Sequence, residues 1–224
     1  MEKEYYFYAF FDVTTEMSAL SLDDRMAARS AFVSHFSSLK EVAVECYATL
    51  GFKAGTTFLL LLRGPSPEAV QLLLRQLLQS SAGRCLRISH TLFGMPGRST
   101  YVSRPSPQEK AVTEGERAPY LIVYPFTKTA DWYLLELETR KKLMAEHIRV
   151  GRAFPGIRQL LLYSFGVDDN EFIVSYETDS LESFRDLVME LRATEARKYT
   201  LNDRPIFTCS HRTLDGISEF IFTP

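Results

Sequence analysis

Sulfur ligands are scarce in this chain. Its three cysteines, Cys46, Cys85 and Cys209, are far apart and odd in number. That argues against a disulfide framework and a thiolate metal site, and makes a reducing, cytoplasmic setting the expectation. No two of the four histidines stand at metal-ligand spacing, so zinc is not expected. Neither sign of charge is in excess. A formal net charge of -2 leaves no basic field to neutralise phosphates, and nucleic acid is not an expected partner. The longest aliphatic run, Phe58 to Leu62, is far short of the roughly 20 apolar residues of a membrane span. The opening MEKEYYFYAFFDV carries acid where a secretory signal carries positive charge, so no targeting segment is expected. GxSxG, GxGxxG and phosphate-loop patterns are also missing.

What is there is globular: 46% hydrophobic and 24% charged residues suffice for one large core or two coupled ones. Tyr- and Phe-rich Glu4 to Val13 reads as a strand. A helix follows, capped by Asp23 or Asp24, with Ala28, Phe32, Phe36 and Leu39 on one stripe. Strands at 41–50 and 57–63 flank the turn GFKAG; Ser66 caps a helix with Pro67 in its first turn, and 84–92 returns as a strand. The order is β-α-β-β-α-β, the ferredoxin-like arrangement. Residues 95–117 turn to Gly, Pro, Ser and charge, an expected linker between domains 1–94 and 118–224. Then the order repeats, with strands at 120–126, 157–165, 171–177 and 205–212, helices at 136–153 and 181–196, and the tail ISEFIFTP expected as one more strand.

The halves superpose with one gap. An offset of 115 lays Tyr120 on Tyr5 and Gly166 on Gly51; an offset of 114 then lays Phe172 on Phe58 and Ser180 on Ser66. The fold class is therefore α+β, two ferredoxin-like repeats of the kind whose antiparallel sheets pair into a barrel with helices outside.

Under this superposition His147 falls on Phe32, Tyr124 on Ala9 and Gln159 on Val44. A lone histidine on an apolar helix face is usually a satisfied core residue. Coincident polar changes on the two flanking strands point instead to a cavity, because buried polar groups without partners are costly. A neutral imidazole is a natural axial ligand for haem iron, and its second ring nitrogen needs an acceptor, for which Glu195 is the candidate. Trp132, the only tryptophan, would lie against the macrocycle, or equally be a packed core aromatic. Lys128, four residues after Tyr124, could meet a propionate or be a solvated loop lysine. Asp168 and Asp169 read as turn residues rather than a catalytic pair.

YPFTK, DWYLL, MAEH, FPGIRQ, YSFGVDD and TEAR together resemble the chlorite dismutase and coproheme decarboxylase superfamily, over nearly the whole chain. The resemblance implies two ferredoxin-like domains forming a β-barrel, usually a homopentamer, with haem (coproheme III or haem b) in the second domain. It implies His147 as the iron ligand and Trp132, Glu195 and Arg197 beside the cofactor. It also implies Tyr124, Lys128 and Gln159 as catalytic residues. Chlorite dismutases carry a distal arginine where this chain has Gln159, and Arg158 should point to the other side of its strand. The implied reaction is peroxide-dependent conversion of coproheme III to haem b through a radical on Tyr124, with iron porphyrin and hydrogen peroxide as partners. A chlorite-degrading or peroxidase-like enzyme, or a non-catalytic haem-binding protein, are the alternatives. The basic residue that such decarboxylases carry upstream of the tyrosine has no clear counterpart, with Arg104, Lys110 and Arg117 nearby.

Overall fold

Clusters of aromatic and aliphatic residues build the strands of the computed structural model, which describes residues 4–37, 41–97, 101 and 115–223. Its elements run β1 (Tyr5–Val13), α1 (Glu16–Ala19), α2 (Leu22–Ser37), β2 (Ala43–Ala48), β3 (Phe58–Gly64), α3 (Pro67–Gln79) and β4 (Leu86–Gly94). They continue as β5 (Tyr120–Lys128), α4 (Ala130–Leu134), α5 (Leu137–Arg152), β6 (Arg158–Tyr163), β7 (Phe172–Thr178) and α6 (Leu181–Arg192). The last three are β8 (Thr200–Asn202), β9 (Phe207–Arg212) and α7 (Leu214–Phe222). Leu39, Arg104 and Lys110 lie outside the described residues.

One unit comprises the described parts of Met1–Met95 and Thr208–Pro224. Its strands are antiparallel: β1 lies between β3 and β4, β2 borders β3, and β9 borders β2. Ala28, Phe32 and Phe36 of α2 and Val70, Leu73 and Leu77 of α3 bury one apolar stripe each against this sheet. Ser66 caps α3 as expected, accepting from the Ala69 N–H at 3.2 Å. Ser21, rather than either aspartate, caps α2. Its Oγ accepts from the Asp24 N–H at 3.1 Å and donates to the Asp24 carboxylate at 2.6 Å.

The tail corrects the expected final strand. ISEFIFTP lies largely in α7, which starts where Thr213 accepts from the Gly216 N–H at 3.0 Å. Ile217, Ser218, Ile221 and Phe222 are buried at helical spacing, and the Phe222 ring stands 5.8 Å from that of Phe32. Residues 208–224, expected within the second domain, thus belong to the first unit.

The other unit spans Pro96–Phe207. Here β7 lies between β5 and β6, with β8 against the end of β5, all antiparallel. Its register repeats that of the first unit. Tyr5 pairs with Gly64 and Tyr120 with Thr178; Ala43 pairs with Arg63 and Arg158 with Glu177. Both relations obey the offsets of 115 and 114. Gly51 and Gly166, also matched, share the left-handed conformation at φ 86° and 70°, which lets each chain turn without a Cβ clash. Among the described residues neither unit's sheet closes on itself, so within them the barrel implied by the resemblance is not a property of either unit alone.

Candidate functional site

The two units differ most where their helices meet their sheets. In the first, Phe32 is fully buried and packs against Phe36, Phe58 and Phe222 with ring centres 4.9 to 6.1 Å apart. In the second, the matched position is His147, and α5 buries no residue fully. A cavity of about 380 Å³ opens there, within the range of small-molecule sites. One stripe of α5 lines it, Arg140, Met144, His147, Ile148 and Gly151, at the three- and four-residue spacing of a helix face.

Burial, reinforced by the nearby Lys128 charge, lowers the His147 pKa to about 4, so the ring is neutral at physiological pH. Its Nδ1 is buried and has no hydrogen-bond partner among the described residues. Glu195 is the acceptor expected for this ring from the sequence. Its carboxylate accepts from Lys198 Nζ at 2.6 Å in solvent, and it does not line the cavity.

Across the cavity the sheet supplies Tyr124 from β5, Tyr176 from β7 and Gln159 from β6. Gln159 is directly opposite Tyr176 in the ladder, and Tyr124 is diagonal to Tyr176 on the same face. Burial raises the Tyr124 pKa; Tyr176, its ring centre 6.1 Å from that of Tyr124, is raised well above its ordinary value by burial and by Tyr124. Tyr176 was not singled out by the sequence. The signal existed: under the offset of 114 it falls on Leu62, so it extends the run of apolar-to-polar exchanges at Tyr124 and Gln159.

Arg158 points to the other side of the strand, as alternation requires. Its guanidinium bonds the buried Glu177 carboxylate at 2.9 Å and the Glu116 carbonyl at 2.6 Å. Arg117 pairs with the same carboxylate at 3.1 Å, so this arginine is engaged away from the cavity.

Trp132 is buried, with Tyr199 and Tyr101 ring centres 5.5 and 6.1 Å away. Lys128 is held over its ring and donates to the Thr200 hydroxyl at 3.3 Å. Desolvation, with Arg197 adding repulsion, lowers the Lys128 pKa to about 8. Arg192 and Arg197 converge on Asp203 at 2.9 and 3.4 Å. With Arg140 and Arg152, the described lining residues thus hold five cations, counting Lys128, against the single carboxylate of Asp203. The cavity therefore combines aromatic and aliphatic walls, a neutral imidazole and a cationic surround. That combination suits a flat, apolar ligand bearing several carboxylates.

Among the described residues no three His, Cys, Asp or Glu side chains cluster as a metal site. No helix is long and apolar enough to cross a membrane, among the residues described.

The chain resembles known proteins along most of its length. The family model described as chlorite dismutase matches residues 24–212. The coproheme decarboxylase of Mycolicibacterium smegmatis is 30% identical over 167 residues, covering 72% of this chain and 70% of that one. The chlorite dismutase of Ideonella dechloratans is 26% identical over 197 residues, covering 84% of this chain and 69% of its own. Among solved structures, chlorite dismutase from Candidatus Nitrospira defluvii in complex with imidazole superposes with a TM-score of 0.89 at 25% identity, over 99% of this chain and 97% of that one.

Proposed function

Because this chain belongs to the chlorite dismutase family, whose members are haem enzymes, we propose that it is a haem-dependent oxidoreductase that decarboxylates coproheme III to haem b with hydrogen peroxide. The observation that carries this reading is Tyr124, an oxidisable phenol in the wall of the same cavity as the neutral His147, with Gln159 rather than a fixed cation two strands away on the same sheet face.

The residues present fit an iron porphyrin. His147 supplies a neutral imidazole, and its buried, unpartnered Nδ1 is an orphan that binding would reorganise. When bound, the iron porphyrin supplies oxidising equivalents from peroxide and carries the propionates that react. The work of the chain is placement. Trp132 and the α5 stripe offer flat apolar contact to the macrocycle. Lys128, Arg192 and Arg197 attract the carboxylates, and the Asp203 pairs hold both guanidinium groups in fixed orientation. Coproheme bears a propionate on every pyrrole ring, which is the load that a surplus of cations suits.

Tyr124 gives up an electron and its phenolic proton, and the phenoxyl oxygen takes a hydrogen atom from a propionate side chain. Loss of carbon dioxide and a second electron leaves a vinyl group. For each propionate, one peroxide and one proton are consumed, and carbon dioxide and two waters are released. Gln159 lacks the permanent charge that would hold a small oxyanion such as chlorite.

The test is to load the protein with ferric coproheme and titrate peroxide while following porphyrin mass. Two successive carboxyl losses, absent in Tyr124→Phe, are expected. A mass that stays constant, or sustained oxygen release from chlorite, overturns the assignment.

A further inference from the structure

Glu171 does not line the cavity, yet one oxygen of its carboxylate holds two residues that do. Its Oε2 accepts from the Lys128 backbone N–H at 2.8 Å and from the Tyr133 hydroxyl at 2.5 Å. The first unit shows how much of this the fold itself requires. The offset of 114 lays Glu171 on Thr57, and the offset of 115 lays Lys128 on Val13. There the Thr57 hydroxyl accepts from the Val13 N–H at 3.2 Å and donates to the Asp12 carboxylate at 3.1 Å. The backbone around the pair repeats as well. The Ser164 N–H donates to the Glu171 carbonyl at 2.8 Å, as its counterpart Thr49 does to Thr57 at 2.9 Å. A threonine is therefore enough to satisfy the end of the strand. Tyr133 falls on Ser18, whose hydroxyl turns back to the Thr15 carbonyl at 2.6 Å. The second contact of Glu171, its reach into α4, thus has no equivalent at Thr57.

That contact bears on two cavity walls. Helix α4 is five residues long, too short for its own backbone bonds to hold it in place. It carries both Trp132 and Tyr133 into the lining, and the Tyr133 ring meets that of Phe165 edge-on at 6.2 Å. We propose that Glu171 is a positioning residue for the cavity, tying α4 to the corner of β5 and β7 so that Trp132 and Tyr133 present fixed aromatic faces to a bound macrocycle. This rests on the reading of the cavity as a porphyrin site. Lys128, joined to the same oxygen through its backbone, shares that anchor, so three wall residues keep one common reference point. Walls ordered in advance need not be ordered on binding, which favours a flat, rigid ligand.

Glu171→Thr installs the residue of the first unit: it keeps an acceptor for the Lys128 N–H and gives up Tyr133. Tyr133→Phe removes the same bond from the other end and leaves the Lys128 contact intact, so it decides the matter if the threonine variant does not fold. Both are expected to melt within about 4 °C of the parent. Trp132 is the only tryptophan, so its emission reports on α4 in protein without porphyrin. Emission should move to longer wavelength and become easier to quench with acrylamide in both variants. Glu171→Gln, which removes the charge but keeps an acceptor oxygen, should retain the parent spectrum. Coproheme should bind about fivefold more weakly to Glu171→Thr than to Glu171→Gln, and about fivefold more weakly to Tyr133→Phe than to the parent. Adding Tyr133→Phe to Glu171→Thr should cost nothing further, because the two changes delete one bond. Parent-like emission or an unchanged coproheme dissociation constant in either variant, or losses that add in the double variant, overturns the proposal. If the parent does not bind coproheme, the function assigned above fails, while the emission still reports whether Glu171 holds α4.

Discussion

The ammonium of Lys128 stands 4.7 Å from the centre of the Trp132 ring, in a buried position where its pKa is lowered to about 8. The pairing holds the cation against an aromatic face, while burial and Arg197 favour its neutral form. A carboxylate arriving there reverses the balance by favouring the protonated ammonium. Coproheme binding should therefore take up a proton above pH 8 and weaken as pH rises through that value. Soret titrations across this range check it, with Lys128→Met expected to bind more weakly and to flatten the profile. Equal pH dependence in the two proteins would remove Lys128 from the binding site.

His147 makes a second prediction, drawn from its counterpart. Phe32 shows that the fold accepts a phenyl ring on this helix face, whereas His147 leaves a buried nitrogen unpartnered. His147→Phe should stabilise the porphyrin-free protein by about 1–2 kcal/mol and abolish axial ligation. The pH dependence has a definite sign. The folded pKa lies below the unfolded value, so the neutral ring's stability is intact above about 6.5 and is lost as pH falls toward 4. The loss is on the order of 2–3 kcal/mol, and the phenylalanine variant should lack this component. Urea unfolding at several pH values measures both effects. Parallel curves for parent and variant would mean the ring is not buried neutral.

Much of this was legible beforehand because duplication prints the same pattern twice. The offsets of 115 and 114 set the register of both three-stranded ladders, and they marked His147, Tyr124 and Gln159 by contrast with Phe32, Ala9 and Val44. Local signals alone mislead at the tail. Aromatic density made the tail look like a strand, yet Ile217, Ser218, Ile221 and Phe222 carry helical spacing and Thr213 a helix cap. Glu195 is expected beside the ring of His147 on chemistry alone, and in the structure its carboxylate accepts from Lys198 Nζ at 2.6 Å. Tyr176 carries no local signal, because an aromatic in a buried strand is ordinary; only the register sets its ring beside that of Tyr124 on the cavity face.

Gln159 distinguishes this cavity from one built to hold a small oxyanion. It is opposite Tyr176 on the cavity face, while Arg158 is committed to Glu177 on the other. Gln159→Arg would bring a permanent charge into the cavity without disturbing that ion pair. Binding of fluoride or azide to the haem-loaded protein should tighten about tenfold, equivalent to about 1.4 kcal/mol. Anion titration followed in the visible spectrum measures it. No change in affinity would show that position 159 does not face the ligand pocket.

Gly151 offers the most direct probe of where a macrocycle lies. It sits one helical turn beyond His147 on the cavity-lining stripe of α5, and a Cβ added there would meet no atom within 4 Å. Its backbone has no need of glycine, since positive φ occurs only at Gly51, Gly55 and Gly166 among the described residues. Gly151→Ala should therefore stabilise the porphyrin-free protein by about 0.5–1 kcal/mol, by restricting the unfolded chain and improving helix propensity. Gly151→Leu should fold as well, because its side chain enters space that is open, but it should weaken coproheme binding at least about tenfold by occupying that space. Thermal unfolding and Soret titration of the two variants separate the effects. If the leucine variant binds coproheme as tightly as the parent, the open volume beside Gly151 is not where the porphyrin plane lies, and the ring must be held nearer to Trp132.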